Sequence, residues 1–419
     1  MALDPGRTVA ELKELRALTG DANGAQRVCW TDTWLAARAW LRQKLEAVPG
    51  VAYEVDEAGN AWATLRGASD QAVLIGGHID SVPNGGWLDG CLNLVAGLEV
   101  LRRLAAEAAA TGTPPPVTVR VVDWADEEGA RFGRSLLGSA AAAGQLDADA
   151  VRGLTDRDGV TLADALARCG VDVDRMHAAA RQLATAAAYL ELHIEQGPVL
   201  ERLDLPLGAV LGTVGVERNA IRFTGQAAHS GSTPMDMRKD AFAGAAKLGL
   251  EIRDIARRHG GVCTMGSVVT RPGIVTAIVG ECDATLDQRH LDAASLARML
   301  DDAQAASRRF AAEESIEVAW TSTWSIPPIP FHPHLIDLCD EAIREVADGR
   351  SQRLPSGPLH DAASVAQAGV PTVMLFVQSL RGLSHNPAED TRDEHLELCV
   401  EALDRLADKT IAWVASGAA

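Results

Sequence analysis

The stretch from Ala72 to Glu99 constrains this chain more than any other segment. It begins as a β-branched apolar run, breaks at two glycines, and then carries His78, Asp80 and, after a Gly/Pro/Asn loop, Asp89. The apolar spacing then becomes helical, so the stretch predicts a strand, a loop and a helix. This arrangement suits a metal site in which His78 and Asp89 are ligands and Asp80 binds the second ring N–H of His78. Taken alone, the segment is equally compatible with a turn of solvated aspartates.

Charged residues follow other predicted strands in the same way. Apolar or alternating runs predict strands at residues 117–124, 189–195 and 370–377, and the candidate side chains in or just after them are Glu127, Glu128, His193 and His385. In an open α/β sheet, ligands bind outside the carboxyl ends of the strands. Because several strand ends agree, we predict an α/β domain that brings these side chains to one site.

A different pattern occupies the region from residue 209 to residue 328. The predicted elements are a strand at 209–224, a helix at 239–259, strands at 262–270 and 274–289, a helix at 292–313 and a strand at 316–326. This βαββαβ order is that of the split ferredoxin-like fold. We therefore predict two domains, an α/β domain from residues 1–208 plus 329–419 and an inserted α+β domain from residues 209–328.

The composition narrows the possible partners. The chain has 419 residues and a net charge of −18, which disfavours binding to nucleic acid or to an anionic membrane surface. Its seven cysteines are scattered and none forms a CxxC pair, which indicates reduced thiols in a cytoplasmic protein. No apolar run approaches the roughly 20 residues that cross a bilayer, and the first residues contain no apolar leader. We therefore expect a cytoplasmic protein without nucleic-acid or membrane partners.

The histidines and carboxylates at the strand ends are numerous enough for two divalent ions. The candidate ligands are His78, Asp89, Glu128, His193 and His385. Such nitrogen and oxygen donors suit zinc, manganese, cobalt or nickel, and one bridging carboxylate would set two ions about 3.5–4 Å apart. A second carboxylate, free of metal, must then move a proton, and the neighbouring Glu127 and Glu128 can supply both roles. Alone, this acidic run is more typical of a solvated turn.

Five motifs together resemble those of one enzyme family. They are HIDSVPNGGWLDG, DEEGARFGRSLLGS, ELHIEQGPVLE, GQAAHSGSTPMDMRKDA and SHNPAED. Over nearly the whole chain they resemble the amidase, hydantoinase and carbamoylase family of dinuclear metallohydrolases, within the clan of aminoacylases and carboxypeptidases. Its members include N-carbamoyl-L-amino-acid hydrolases, β-ureidopropionases and allantoate amidohydrolases. The resemblance implies a zinc-peptidase-like catalytic domain with an inserted dimerisation or lid domain.

The resemblance also implies roles for the metal-binding and catalytic residues. One ion would be held by His78, Asp89 and His193, and the other by Asp89, Glu128 and His385, so that Asp89 is the bridge. Glu127 would act as the general base and acid, and Asp80 would orient His78. The implied cofactors are two divalent ions, zinc foremost, with manganese, cobalt or nickel as alternatives.

Substrate-binding residues are implied in the same way. Gln196 would line the pocket, and His360 lies in a recurrent family segment as a further pocket residue. His229 would polarise the scissile carbonyl, reaching the site of the partner subunit in a homodimer. Arg289 would bind the substrate carboxylate, a task that suits the planar fork of arginine. Purely structural roles remain open for all four residues.

One position departs from the family pattern. Relatives usually read NVIPGE, with an asparagine that contacts the substrate carboxylate, whereas this chain has Thr276 at that position. Threonine is shorter and offers one hydroxyl in place of an amide. We therefore expect the metal chemistry to be kept and this side of the substrate pocket to differ.

The predicted function is hydrolysis of a linear C–N bond. The foremost substrate is the carbamoyl group of an N-carbamoyl amino acid, and the products would be an amino acid, carbon dioxide and ammonia. The nearest alternative is an N-acyl-amino-acid or dipeptide hydrolase with the same two-metal site. A metal-binding regulatory or scaffold protein without turnover is the remaining alternative. A missing base or ligand would be its sign, and here every such residue is present.

Overall fold

The computed structural model describes residues 2–418 and divides into two compact units. The first unit contains the chain up to Leu211 and from Phe331 onwards, and the second unit is Gly212–Pro330. The insert expected at residues 209–328 thus begins three residues later and ends two residues later. Within residues 2–418, no helix combines the length and the apolar character needed to cross a lipid bilayer.

Strands and helices alternate along most of the chain. The strands are β1 (Gly20–Asp21), β2 (Gly24–Ala25), β3 (Val51–Val55), β4 (Ala61–Leu65), β5 (Ala72–His78), β6 (Thr118–Trp124), β7 (Ala186–Ile194), β8 (Leu207–Thr213), β9 (Gly215–Thr224), β10 (Val262–Arg271), β11 (Glu281–His290), β12 (Glu317–Ile326), β13 (Ile329–Pro330), β14 (Gln352–Ser356) and β15 (Thr372–Val377). The α-helices are α1 (Pro5–Thr19), α2 (Asp32–Glu46), α3 (Cys91–Thr111), α4 (Leu137–Ala142), α5 (Ala148–Arg152), α6 (Leu162–Arg168), α7 (Val199–Arg202), α8 (Ala241–His259), α9 (Ala293–Glu313), α10 (Pro333–Val346), α11 (Asp361–Gln367) and α12 (Asp393–Ala415). Segments of 3₁₀ helix occur at Val173–Leu183, Met235–Met237 and Leu380–Gly382.

The larger sheet places the ends of its central strands at one edge. Its strand order is β13-β8-β15-β7-β5-β6-β4-β3, and β14 pairs with β8. The central strands β15, β7, β5 and β6 are parallel, with His78 opposite Trp124 and Phe376 opposite His193. Parallel strands that are covered on both faces consist of nearly continuous apolar residues, and β5, β6 and β15 are buried throughout. The predicted α/β class is therefore confirmed.

Tight packing fixes the strand ends that precede the candidate site. The first eleven residues of α3, Cys91–Leu101, are all buried, and this helix packs against β5, β6 and β7. A Cβ at Gly76 of β5 would lie 2.4 Å from the Tyr189 ring of β7, so the ring fits only because this residue is glycine. The Trp124 Nε1–H donates to the Tyr189 hydroxyl at 2.9 Å, which ties β6 to β7.

The second unit contains a four-stranded antiparallel sheet with the order β10-β11-β9-β12. Helices α8 and α9 pack against each other and against this sheet, around a core that includes Phe223, Leu248 and Met299. Helix α8 begins after Asp240, whose carboxylate accepts two main-chain N–H groups, and it ends at the left-handed Gly260. The predicted βαββαβ order of the insert is confirmed.

Two predicted strands of this region are wrong in extent. Residues 209–224 form two strands in different sheets, because the chain turns at Val214 between Gly212, with φ of +143°, and Gly215. Residues 274–280 are not part of the strand predicted at 274–289, since β11 begins only at Glu281. The preceding loop instead bonds to residues 225–230, for example through the Ser230 N–H and the Thr276 carbonyl at 2.9 Å. An apolar pattern predicts strands well and their partners poorly.

Candidate metal centre

The carboxyl ends of the central strands bring the predicted ligands together in the first unit. The groups of side chains close enough to share an ion include His78, Asp89 and His193, and also Asp89, Glu128 and His385. Gly90, which precedes α3, has φ of +67°, and a Cβ there would lie 2.3 Å from the His78 ring. Glycine at this position therefore allows the turn that carries Asp89 to approach the end of β5.

Asp89 lies between two sets of ligands. Its Oδ1 is 3.1 Å from His193 Nε2 and 3.7 Å from His78 Nε2. Its Oδ2 is 3.5 Å from His385 Nε2, and the same nitrogen is 3.3 Å from Glu128 Oε2. Each oxygen of one carboxylate thus faces a different set of predicted ligands, as the predicted bridging role of Asp89 requires.

The hydrogen bonds of the two buried histidines favour a cation at this point. His78 Nδ1 is 3.1 Å from the main-chain oxygen of Asp80, and His193 Nδ1 is 2.9 Å from that of Ile194. Because these oxygens can only accept, both Nδ1 atoms carry a ring proton, and both Nε2 atoms face the carboxylate of Asp89. His78 Nε2 is buried without a hydrogen-bond partner. The residues present therefore fit a divalent ion with imidazole and carboxylate ligands, such as zinc, manganese, cobalt or nickel.

The titration of the ligands reflects the negative charge of the site. Burial lowers the pKa of His78, but the charges of the neighbouring carboxylates outweigh it and raise this pKa well above its usual value. The hydrogen bond with Glu128 raises the pKa of His385 to about 9. Burial raises the pKa of Asp89, but its bond with His193 and the nearby histidine charges lower it overall. The carboxylates thus stabilise positive charge at this position.

Glu127 lies beside the ligands and is almost fully buried. Its Oε2 is 3.7 Å from His78 Nε2, and only 7% of the residue is exposed. Burial raises the pKa of Glu127 well above the usual glutamate value; the charge of His78 opposes this effect and that of Glu128 adds to it. A carboxylate with a raised pKa can take a proton from water and return it, which is what a general base and acid must do.

Asp80 has a wider structural role than the sequence predicted. The oxygen closest to the His78 ring is its main-chain oxygen, while its carboxylate Oδ1 is 3.6 Å from His78 Nδ1. The carboxylate accepts the main-chain N–H groups of Glu127 at 3.3 Å and Glu128 at 3.2 Å. Asp80 thus fixes the turn that presents both glutamates, in addition to lying against the histidine.

A cavity of about 200 Å³ opens onto these ligands. It is lined by Asp89, Glu127, Glu128, Ser135, Leu136, His193, Gln196, Pro358, Leu359, His360 and His385. The Gln196 side-chain amide donates to Asp89 Oδ2 and to Ser384 Oγ, both at 2.9 Å. The ring centroids of His360 and His193 are 4.3 Å apart, and burial lowers the pKa of His360 well below its usual value, so this ring is neutral. The cavity therefore contains two of the predicted substrate residues, Gln196 and His360.

The other three predicted substrate residues belong to the second unit. His229 is exposed, its Nδ1 accepts the Gly231 N–H at 3.1 Å, and it forms an isolated β-bridge with Ala277, the neighbour of Thr276. His229 and Thr276 thus come from two loops that lie side by side. Arg289 on β11 donates to Asp287 on the same strand at 2.8 Å. Their roles towards a substrate stay predictions.

Sequence reasoning assigned no role to Ser384 and Glu389, although both lie in the SHNPAED motif. Glu389 is buried, and its Oε1 accepts the main-chain N–H groups of Leu88 at 3.0 Å and Asp89 at 3.1 Å. The Ser384 hydroxyl lies 2.8 Å from Asp89 Oδ2 and 3.1 Å from Glu389 Oε2. Glu389 therefore joins the turn that carries Asp89 to the loop that carries His385. The available signal was the position of Glu389, four residues after the predicted ligand His385 in the same motif.

Replacing Glu389 should weaken metal binding. In Glu389→Ala both carboxylate oxygens are lost, so the main-chain N–H groups of Leu88 and Asp89 lose their shared acceptor. Loss of such an outer contact typically lowers metal affinity about 10–100-fold. Calorimetric titration of the metal-free protein with Zn²⁺ or Mn²⁺ measures the effect, and the exposed Glu401→Ala is the matched control. Equal affinities in both variants would show that Glu389 has no part in positioning the ligands.

Residues 74–409 match the family described as Peptidase family M20/M25/M40. The chain is 34% identical over 392 residues to the N-carbamoyl-L-amino acid amidohydrolase of Geobacillus stearothermophilus, an alignment covering 91% of this chain and 92% of that protein. It is 34% identical over 400 residues to the allantoate amidohydrolase of Escherichia coli K12, covering 94% of each chain. A solved structure of an amidase of the hydantoinase/carbamoylase family from Burkholderia multivorans superposes with a TM-score of 0.84, at 32% identity, covering 96% of this chain and 97% of that one.

Proposed function

Because the chain belongs to the hydantoinase/carbamoylase family of amidases within peptidase family M20/M25/M40, we propose that it hydrolyses the carbamoyl C–N bond of an N-carbamoyl amino acid. The observation that carries the proposal is the position of Asp89 between the two ligand sets, with the buried Glu127 beside them. Relatives that act on N-carbamoyl-L-amino acids and on allantoate support a linear amide or ureido substrate. The proposed cofactors are two divalent ions, zinc foremost.

The proposed ligand sets divide the site into two halves. His78 and His193 would hold one ion, Glu128 and His385 the other, and Asp89 would bridge them. When bound, the two ions would activate water and polarise the ureido carbonyl oxygen. The Gln196 amide, which donates to Asp89 Oδ2, would keep the bridging carboxylate in its orientation.

Proton transfer falls to Glu127. Its carboxylate faces the His78 side of the site. Its main-chain N–H donates to the Asp80 carboxylate, which fixes the backbone at this residue. The Glu127 carboxylate would take a proton from the attacking water and pass it to the nitrogen of the leaving group. Cleavage of the C–N bond then gives the amino acid, and the carbamate that leaves decomposes to carbon dioxide and ammonia. In this scheme one water is consumed for each substrate, because the decomposition of the carbamate needs no further water.

We propose that Arg289 binds the substrate carboxylate and that His229 reaches the site of the partner subunit, where it binds the carbonyl oxygen. The resemblance supports these roles, and Thr276 adjoins His229 through the bridge at Ala277. We further propose a cytoplasmic homodimer. Free thiols at all seven cysteines support the compartment, and the exposed Val262, Val268 and Val269 on the edge strand β10 support association with a second copy.

Ammonia release tests the proposal directly. Purified protein loaded with zinc, manganese or cobalt would be assayed for ammonia on N-carbamoyl-L-amino acids, N-carbamoyl-β-alanine and allantoate. The same protein would be assayed for free amino acid on N-acetyl amino acids and dipeptides. We expect ammonia from at least one N-carbamoyl substrate and its loss on addition of a chelator. Hydrolysis confined to N-acetyl amino acids or dipeptides would instead establish the alternative N-acyl hydrolase. Turnover that persists after complete metal removal would contradict the two-metal site.

A further inference from the structure

The cavity beside the proposed metal ligands is lined in part by aliphatic residues. Leu136, Pro358 and Leu359, together called the apolar wall, line it along with the carboxylates and histidines already described. Each of these three residues is partly exposed, so their side chains are available to a ligand. Ser135 is the polar neighbour of Leu136, and it is exposed to water. A substrate held with its reacting carbonyl at the proposed metal ligands therefore meets aliphatic carbon atoms within the same cavity.

Leu136 is held in a fixed position relative to the proposed base. Its main-chain N–H donates to the Glu127 carbonyl at 2.8 Å, and the Leu137 N–H donates to the Asp126 carbonyl at 3.1 Å. Leu136 itself has φ of +58°, a left-handed conformation that β-branched residues rarely adopt. Leu136 is thus held against the turn that carries Glu127, the proposed proton-transfer group.

Pro358 and Leu359 are fixed by contacts within a different segment of the chain. The Ser356 hydroxyl donates to the Pro358 carbonyl at 2.8 Å and lies 3.1 Å from His360 Nε2. His360, the next residue after Leu359, is buried against the ring of His193. The two apolar residues therefore keep their place next to a proposed metal ligand.

The two substrate types of the relatives differ in the side chain that would meet the apolar wall. Allantoate is an N-carbamoyl amino acid whose side chain is a second ureido group, and this group has the size and branching of the leucine side chain. A ureido group needs several hydrogen-bond partners when it leaves water, and burial without them is costly. An isobutyl group needs none and gains from the contact with aliphatic carbon. The wall therefore separates two substrates that are nearly identical in shape.

Resting on the proposed function, we infer that Leu136, Pro358 and Leu359 make this enzyme selective for N-carbamoyl amino acids with an aliphatic side chain over allantoate. An apolar pocket discriminates against a polar isostere by about 10²-fold in kcat/KM. N-carbamoylglycine, which lacks the side chain, should be about tenfold or more poorer than N-carbamoyl-L-leucine, since even one missing methylene has such an effect.

The test compares kcat/KM for N-carbamoyl-L-leucine and for allantoate in the metal-loaded protein. Leu136→Asn and Leu359→Asn place an amide at the wall, and asparagine tolerates the left-handed backbone of residue 136. We expect the wild-type ratio to favour the leucine substrate about 10²-fold, and each variant to shift it about tenfold towards allantoate. The matched control is Leu203→Asn, because Leu203 is 44% exposed and does not line the cavity.

The outcomes separate this inference from the proposed function. A wild-type preference for allantoate, or equal rates on both substrates, overturns the selectivity and leaves amidohydrolase activity standing. Unchanged ratios in both cavity variants, with the leucine substrate still hydrolysed, also overturn it. Silence on every N-carbamoyl substrate with two metals bound overturns the proposed function and the inference together. A variant that fails to fold leaves the wild-type ratio as the deciding measurement.

Discussion

Glu127→Gln should lose nearly all activity while keeping its metals. Glutamine retains the shape of the side chain, but it cannot accept a proton from water, and removal of a general base typically lowers kcat about 10²–10⁴-fold. KM and metal content should change little, because Glu127 is not among the proposed ligands. Steady-state ammonia release and elemental analysis of the same samples would measure both quantities.

A matched control separates loss of the base from general damage. Glu107→Gln alters a glutamate on α3 whose side chain is 56% exposed and which does not line the cavity. This control should keep the wild-type kcat. Full activity in Glu127→Gln with normal metal content would show that another group moves the proton. A drop in activity together with a loss of bound metal would assign Glu127 to metal binding instead.

Asp89→Asn should abolish the two-metal site. One amide cannot replace a carboxylate whose Oδ1 faces His193 and whose Oδ2 faces His385, since the N–H₂ group would point at a lone pair or at an ion. We expect fewer than two bound ions per chain. We also expect kcat/KM to fall about 10³-fold or more, which is at least the effect of losing one preorganised charge-stabilising group. Metal should also raise the melting temperature less than in the wild type, because an ion stabilises only the state that binds it.

The control for this variant is Asp393→Asn, whose carboxylate is 55% exposed and pairs with Lys13. It should retain the wild-type metal content and thermal shift. An Asp89→Asn protein that binds two ions with unchanged affinity would rule out the bridging role. Such a result would leave the His78 and His385 groups as separate sites.

Much of the site could be predicted because its chemistry follows the strand pattern. His78 ends the apolar run of β5, and His193 lies in the alternating run of β7, so the sequence itself places them at one edge of a parallel sheet. The structure groups both residues with Asp89, and it groups Asp89 with Glu128 and His385, each group close enough to hold an ion. Their roles as ligands stay predictions, since geometry alone does not assign a metal.

Residues that act through contacts between distant segments could not be predicted. Glu389 binds the main-chain N–H of Leu88, three hundred residues earlier in the chain, and no local pattern records that bond. Leu136 and Leu359 share a cavity wall, yet each reads as an ordinary aliphatic residue in its own segment. The break between β8 and β9 was missed for a related reason. The apolar pattern continues across Val214, and only the sheet partners reveal that the two strands separate.

The most direct test of the two-metal site is a metal titration in which bound metal and activity are measured on each sample. Metal-free protein would receive increasing Zn²⁺ or Mn²⁺, and bound metal would be measured alongside ammonia release from N-carbamoyl-L-leucine. We expect negligible ammonia release without metal and maximal ammonia release when two ions are bound per chain. Full release from metal-free protein, or none from protein that holds two ions, would contradict this expectation.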